Sequence, residues 1–239
     1  MQTMTLIWAA IGGVTALPAG TCLRAPVYRM SVRAGEPDQA CCQDCGAFLA
    51  ARLPFRCARC GTWFGGPWLI ELLSAAAVGL LFARFGDQPE SVMFGFLALV
   101  GVALALVDLA VKRLPNRLTL PAYPVLGMLL ALTAIIEHES GALRRALLGG
   151  LVLGACYLIL AVLSGGRLGG GDVKLAGLIG LALGWLGWSS LLTGACLGFL
   201  LAAIVSLVLL AGRKVTRTTL ISFGPYMLAG ALFAMLGIK

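Results

Sequence analysis

The sequence predicts an all-α fold: a polytopic membrane helical bundle of about eight transmembrane helices with a small cysteine-bearing loop domain. Three observations carry this reading. Of 239 residues, 60% are hydrophobic and 12% charged, and the mean hydropathy is +0.97. That is more apolar surface than a soluble domain of this length buries, which excludes a soluble single-domain enzyme. Eight apolar stretches of about 17 to 22 residues recur along the chain, the length a helix needs to cross a bilayer. Thirty-two glycines fall largely inside those stretches, where small residues let membrane helices approach closely.

Taken in order, the first span is placed at 4–21. Its start, Met1-Gln-Thr-Met-Thr5, has no basic region, and no small-residue cleavage site follows, so it reads as a retained helix rather than a signal peptide. Residues 23–66 form the one long polar segment. The second span, 67–83, carries Glu71 at its edge, and the third, 92–111, holds Asp108 near its end. The fourth, 119–136, overlaps Leu114-Pro-Asn-Arg-Leu-Thr-Leu-Pro121. The fifth, 146–164, follows a loop with His138 between Glu137 and Glu139, which reads as a solvated charge cluster. The sixth, 173–190, is opened by Gly169-Gly-Gly171-Asp172. It ends near Trp185 and Trp188, where an aromatic belt belongs. Spans at 191–211 and 219–236 complete the set. The domains expected are therefore a first helix at 1–22, a cytoplasmic metal domain at 23–66 and a seven-helix membrane domain at 67–239. No internal repeat is evident.

Orientation follows from the basic residues, because cytoplasmic loops retain Lys and Arg. Fourteen lie in one set of alternate connections (Arg24, Arg29, Arg33, Arg52, Arg56, Arg59, Lys112, Arg113, Arg117, Arg167, Lys174, Arg213, Lys214, Arg217) and four in the other (Arg84, Arg144, Arg145, Lys239). The first set, with the segment 23–66, faces the cytoplasm, and both termini lie outside. The net charge of +8 is then mostly this bias, aided by the anionic headgroups of the lipid bilayer, and implies no nucleic acid.

Within the polar segment stand Cys42-Gln-Asp-Cys45 and Cys57-Ala-Arg-Cys60, two CxxC pairs 11 residues apart. Such knuckles present four thiolates tetrahedrally to one zinc ion, and a reducing cytoplasm favours metal over disulfides. Gly46 and Gly61 each follow a second cysteine, where a knuckle turns tightly. Four protein ligands leave no open position, so Zn2+ is expected to be structural rather than catalytic. A redox pair is the alternative, and Cys41 is a possible substitute for Cys42. Cys22, Cys156 and Cys196 lie in or beside apolar spans and read as packing residues.

Of ten acidic residues, Glu71, Asp108 and Asp172 lie within or at the edge of spans, where an ionised carboxylate is costly and usually functional. The topology puts both aspartates at the cytoplasmic level. Two carboxyls in one poorly solvated site do not both ionise easily; one holds a proton while its partner remains a base, as peptide hydrolysis requires. Gly169 and Gly171 leave backbone open for an extended substrate, and Lys174 tunes the field or contacts that substrate. Two other readings stand beside this: helix-end residues, with Asp172 a plain N-cap, and a proton or ion pathway. For Glu71, substrate contact stands beside an interfacial residue paired with a loop arginine.

Gly169-Gly-Gly171-Asp172-Val-Lys174 resembles the GxGD motif of intramembrane aspartyl proteases in the form used by type IV prepilin peptidases. Asp108 with Leu114 to Pro121 resembles the segment around that family's first catalytic aspartate, Ser222-Phe-Gly-Pro-Tyr226 its FGP signature, and Gly20-Thr-Cys-Leu-Arg-Ala-Pro-Val-Tyr-Arg29 its GSFLNVVIYR stretch. The resemblance runs from about residue 19 to 230 in the family's order. It implies a membrane endopeptidase of type IV pilus or type II secretion systems, with catalytic Asp108 and Asp172. Such an enzyme removes the short basic leader of prepilins and pseudopilins on the cytoplasmic side of the cell membrane, after a glycine. It also implies N-methylation of the new terminus with S-adenosylmethionine, in which Glu71 is a candidate contact. The chain departs from the pattern in its closely spaced CxxC pairs, in Arg24 where Asn is usual, in Thr62 to Pro67, and in the placing of Glu71. A transporter using both aspartates as a relay is the main rival, and a non-catalytic assembly factor the second.

Overall fold

The structure, a computed structural model, describes residues 2–32, 39–48, 56–62, 68–165, 168–212 and 222–237. Arg33, Arg52, Arg167, Arg213, Lys214, Arg217 and Lys239 of the charge pattern, and Pro67, lie outside the described residues. Eight helices and no strand occur among the described residues: α1 (Gln2–Met30), α2 (Leu69–Phe85), α3 (Glu90–Val111), α4 (Asn116–Glu137), α5 (Ser140–Leu163), α6 (Gly170–Leu186), α7 (Trp188–Ala211) and α8 (Gly224–Met235). Five of them, α1, α3, α4, α5 and α7, are long and apolar enough to cross a membrane. Leu6, Val14, Leu151 and Val162 are exposed on them, as lipid-facing positions are. The all-helical, multi-pass expectation therefore holds.

The chain divides into two compact units, residues 1–115 and 116–239. In the first, α1 packs mainly on α2, and α2 on α3. The α1–α2 contact is close because its crossing points are glycines. A Cβ at Gly20 would stand 2.9 Å from Glu71 Cα, and one at Gly79 3.1 Å from the Ala9 carbonyl. Such small-residue contact replaces the hydrophobic drive that lipid does not supply.

α1 runs past residue 21 to Met30, with Pro18 and Pro26 inside it. The Thr21 hydroxyl donates to the Pro18 carbonyl at 2.7 Å. The extension brings Arg24 onto a helix face packed on α2.

In the second unit α6 is the core helix. Every residue from Leu175 to Trp185 is buried, as expected of a helix apolar all round. Its partner α5 approaches over glycines; a Cβ at Gly149 would meet the Gly180 carbonyl at 2.6 Å and Gly184 Cα at 2.9 Å. The helix stops at Gly187, whose φ of 135° and ψ of 168° suit glycine alone. The sixth span expected over 173–190 is thus α6 followed by the first turn of α7. α8 starts at Gly224 with a proline in its first turn, later than the 219 expected, because proline's fixed φ and missing N–H favour a helix start there.

Candidate active site and metal site

Asp108 lies in the last turn of α3 and is 4% exposed. Lys112 caps that helix in the left-handed region, its N–H donating to the Asp108 carbonyl at 2.7 Å. The turn beyond is tied to the segment just after α1 by Arg113, whose Nη1 donates to the Val32 carbonyl at 3.3 Å.

Asp172 lies in the second unit, in the first turn of α6. Gly169 is the N-cap, with extended backbone (φ −70°, ψ 143°). Asp172 occupies the N3 position and reaches back, Oδ2 accepting from the Gly169 N–H at 3.3 Å. It is therefore not the N-cap of the alternative reading. A Cβ at Gly169 would press on Asp172 Oδ2 at 3.4 Å, while one at Gly170 would meet nothing within 4 Å. The space beside Gly170 is open. The Lys174 ammonium donates to Asn116 Oδ1 at 2.7 Å, and the Tyr123 hydroxyl to the Lys174 carbonyl at 2.6 Å. Neither Asn116 nor Tyr123 carried a signal of its own in the sequence, since each meets α6 across more than 50 residues.

Glu71 is held by Arg24. Nε donates to Oε1 at 2.5 Å and Nη2 to Oε2 at 2.6 Å, with both side chains 1% exposed. The fork-to-fork geometry engages both carboxylate oxygens at once. The partner is an arginine of α1 itself rather than of a loop.

The four knuckle cysteines come together. Cys42, Cys45, Cys57 and Cys60 place their Sγ atoms within 4.8 Å of one another. The Cys42–Cys60 and Cys45–Cys57 separations are 3.6 Å and 3.5 Å, near the roughly 3.8 Å edge of a tetrahedron with zinc–sulfur bonds of ~2.3 Å. The two knuckles share one hydrogen-bond pattern. Gly46 N–H bonds the Cys42 carbonyl and Cys42 N–H the Ala47 carbonyl; Gly61 N–H bonds the Cys57 carbonyl and Cys57 N–H the Thr62 carbonyl. Gly46 and Gly61 take φ of 68° and 76°, the left-handed turn that the spacing predicts. Cys41 is exposed and outside the cluster, so the paired spacing decides for Cys42.

Three further residues support the cluster. Thr62 Oγ1 donates to Asp44 Oδ2 at 2.6 Å and lies 3.1 Å from Cys60 Sγ, linking the knuckles. Tyr28 of α1 accepts from the Gln43 N–H at 3.1 Å and packs against Cys42 and Cys57. The Thr62 backbone amide holds the Cys60 thiol below its usual range. Although the Ala47 N–H favours its thiolate, burial and the neighbouring thiols push Cys45 up to about 12. Such a thiol set shares its protons as a group, and a divalent ion displaces them. Cys42→Ser, or chelation of the wild type, is expected to speed limited proteolysis between residues 39 and 62 while removing bound metal. An unchanged cleavage rate after demonstrated metal loss would exclude a structural role.

Residues 95–212 match the model of the type IV leader peptidase family. Among curated proteins, the chain is 31% identical to a prepilin leader peptidase/N-methyltransferase of Aeromonas salmonicida over 196 residues, covering 82% of this chain and 61% of that protein. It is 28% identical to the protein of that name in Pseudomonas aeruginosa, with the same coverage. The Pseudomonas putida relative is 28% identical over 207 residues, 82% of this chain and 70% of that protein. The chain thus spans about three fifths of the length of the first of these relatives. No solved structure gives a significant match. The matched region contains Asp108, the three glycines, Asp172 and Lys174, so that over residues 95–212 the chain is similar to the type IV leader peptidase family.

Proposed function

We propose that this chain is a membrane aspartic endopeptidase that removes the short basic leader from prepilins or pseudopilins on the cytoplasmic side, after a glycine. The observation that carries the reading is Asp172 at the third position of α6, bonded by the Gly169 N–H within a glycine run with open space beside Gly170. Asp108 supplies the second carboxyl.

In the proposed pair one carboxyl holds a proton while its partner remains a base, and the reaction is written with Asp172 as the base and Asp108 as the acid. In the proposed reaction Asp172 takes a proton from water as its oxygen bonds to the scissile carbonyl carbon. Asp108 gives its proton to the carbonyl oxygen, forming a tetrahedral diol. As the diol collapses, the C–N bond breaks, the amine leaves with a proton from Asp172, and Asp108 recovers its proton from the diol. Gly169 and Gly171 offer backbone beside the substrate, and Lys174 lies two residues from the base. Glu71, whose oxygens Arg24 occupies, serves this site indirectly by fixing α1 against α2.

Zn2+ bound by Cys42, Cys45, Cys57 and Cys60 would hold the two knuckles together. The relatives' names support a second activity, N-methylation of the new terminus, for which S-adenosylmethionine supplies the methyl group.

The test is to incubate the purified protein in detergent with a prepilin, with and without S-adenosylmethionine, and to read the product by intact mass. Loss of the leader mass is expected, with one added methyl when the donor is present. A well-folded protein that leaves the substrate whole would overturn the peptidase reading and favour the ion-relay alternative.

A further inference from the structure

Tyr123 projects from α4 into a notch on α6. Its hydroxyl donates to the Lys174 carbonyl at 2.6 Å, a backbone acceptor one turn after the start of α6. Room for it exists because residue 177 is glycine. A Cβ there would overlap the hydroxyl and stand 3.3 Å from Tyr123 Cζ. α4 also takes the other end of Lys174, whose ammonium donates to Asn116 Oδ1. Two polar contacts from α4 therefore converge on a residue that lies two positions after Asp172.

We propose that Tyr123, admitted by Gly177 and assisted by Asn116, is a positioning residue that fixes the turn of α6 carrying Asp172. The inference rests on the reading of Asp172 as half of a catalytic pair. The physical need is plain. Asp172 lies in the first turn of a helix, where backbone N–H groups lack partners inside the helix and the end frays readily. A reacting carboxylate must be held to about half an ångström. Anchoring the Lys174 carbonyl and ammonium to a neighbouring helix meets that need. A packing role alone would require the ring but not its hydroxyl.

Tyr123→Phe keeps the ring and deletes the hydroxyl, which separates the two possibilities. Cleavage should show kcat lowered about tenfold with KM within about twofold, the split expected when reacting groups are misplaced but substrate still binds. The alkaline limb of the pH profile should move to lower pH, because carboxyls held less closely couple less and the shared proton is lost sooner. Amide hydrogen exchange over residues 170–178 should quicken in detergent. Gly177→Ala, which expels the ring, should cost similarly alone but add little in the Tyr123→Phe background, the mark of one shared interaction. Unchanged kcat and pH profile in Tyr123→Phe would overturn the proposal while wild-type cleavage leaves the peptidase reading standing. If the folded wild type cleaves no prepilin, the peptidase reading fails instead, and exchange over 170–178 still decides whether Tyr123 anchors that turn. Exchange that does not change in Tyr123→Phe would overturn it in either case.

Discussion

Asp172→Asn is expected to lower prepilin cleavage by on the order of 10³-fold or more, and Asp108→Asn by as much, as removal of a chemical group does in other proteases. Each substitution keeps the shape of the side chain. In Asp172→Asn the amide oxygen would still accept from the Gly169 N–H, so the first turn of α6 should persist. What is lost is the capacity to take a proton from water. Asp108→Asn likewise replaces a carboxyl that gives up a proton by an amide that does not. Because the groups act as a pair, the double variant should be scarcely worse than either single one. Thermal unfolding and bound metal should match wild type in all three. Either single variant retaining more than about a tenth of wild-type activity would remove its aspartate from the chemistry.

That these two residues were legible in the sequence has a physical cause. Carboxylates are rare in apolar spans because they are costly there, so Asp108 and Asp172 stand out against their surroundings. The knuckles were legible because a metal site compresses its geometry into local spacing, and Gly46 and Gly61 mark the turns. Arg24 was legible as a positive-inside charge near the end of a span and as a departure from the usual Asn, and neither reading gave it a partner. Hydropathy ends a span at the first charge, whereas the helix continues through Pro26 to Met30 and buries that charge against α2. A partner 47 residues away leaves no periodic trace. Tyr123 read as an ordinary aromatic in an apolar run for the same reason, and Gly177, which admits it, as one of many packing glycines. α6 starts three residues before the span that hydropathy marks, because Gly170 to Asp172 are helical without being apolar.

Breaking the Arg24–Glu71 pair should carry the largest stability effect in the molecule. Both side chains are 1% exposed, and removing either one strands its partner's charge where no water replaces it. Such losses run to about 3–5 kcal/mol. Arg24→Ala and Glu71→Ala are each expected to lower the unfolding midpoint strongly in detergent and to reduce the yield of folded protein. Arg24→Asn, which keeps one donor, should fall between Arg24→Ala and wild type. The decisive comparison is the double variant Arg24→Leu/Glu71→Leu. With no charge left to desolvate, it should recover most of the loss, since well-packed apolar replacements of buried ion pairs are often neutral or better. Ser74 supplies an internal control on the same helix face. It is fully buried, packs near Gly20, and its hydroxyl has no hydrogen-bond partner among the described residues. Ser74→Ala should therefore be neutral or mildly stabilising, because it removes a desolvated group that bonds nothing. If instead Arg24→Ala and Glu71→Ala unfold at the wild-type temperature, the pair does not hold α1 on α2. Should both singles and the double variant lose stability equally, what matters is the hydrogen-bonded fork as a unit rather than a stranded charge. The pair joins Arg24 to Glu71 a turn below Tyr28, which accepts from Gln43 in the first knuckle, so its loss should also be felt at the metal site. Faster proteolysis between residues 39 and 62 in Glu71→Ala, with all four cysteines intact, is the expected sign of that connection.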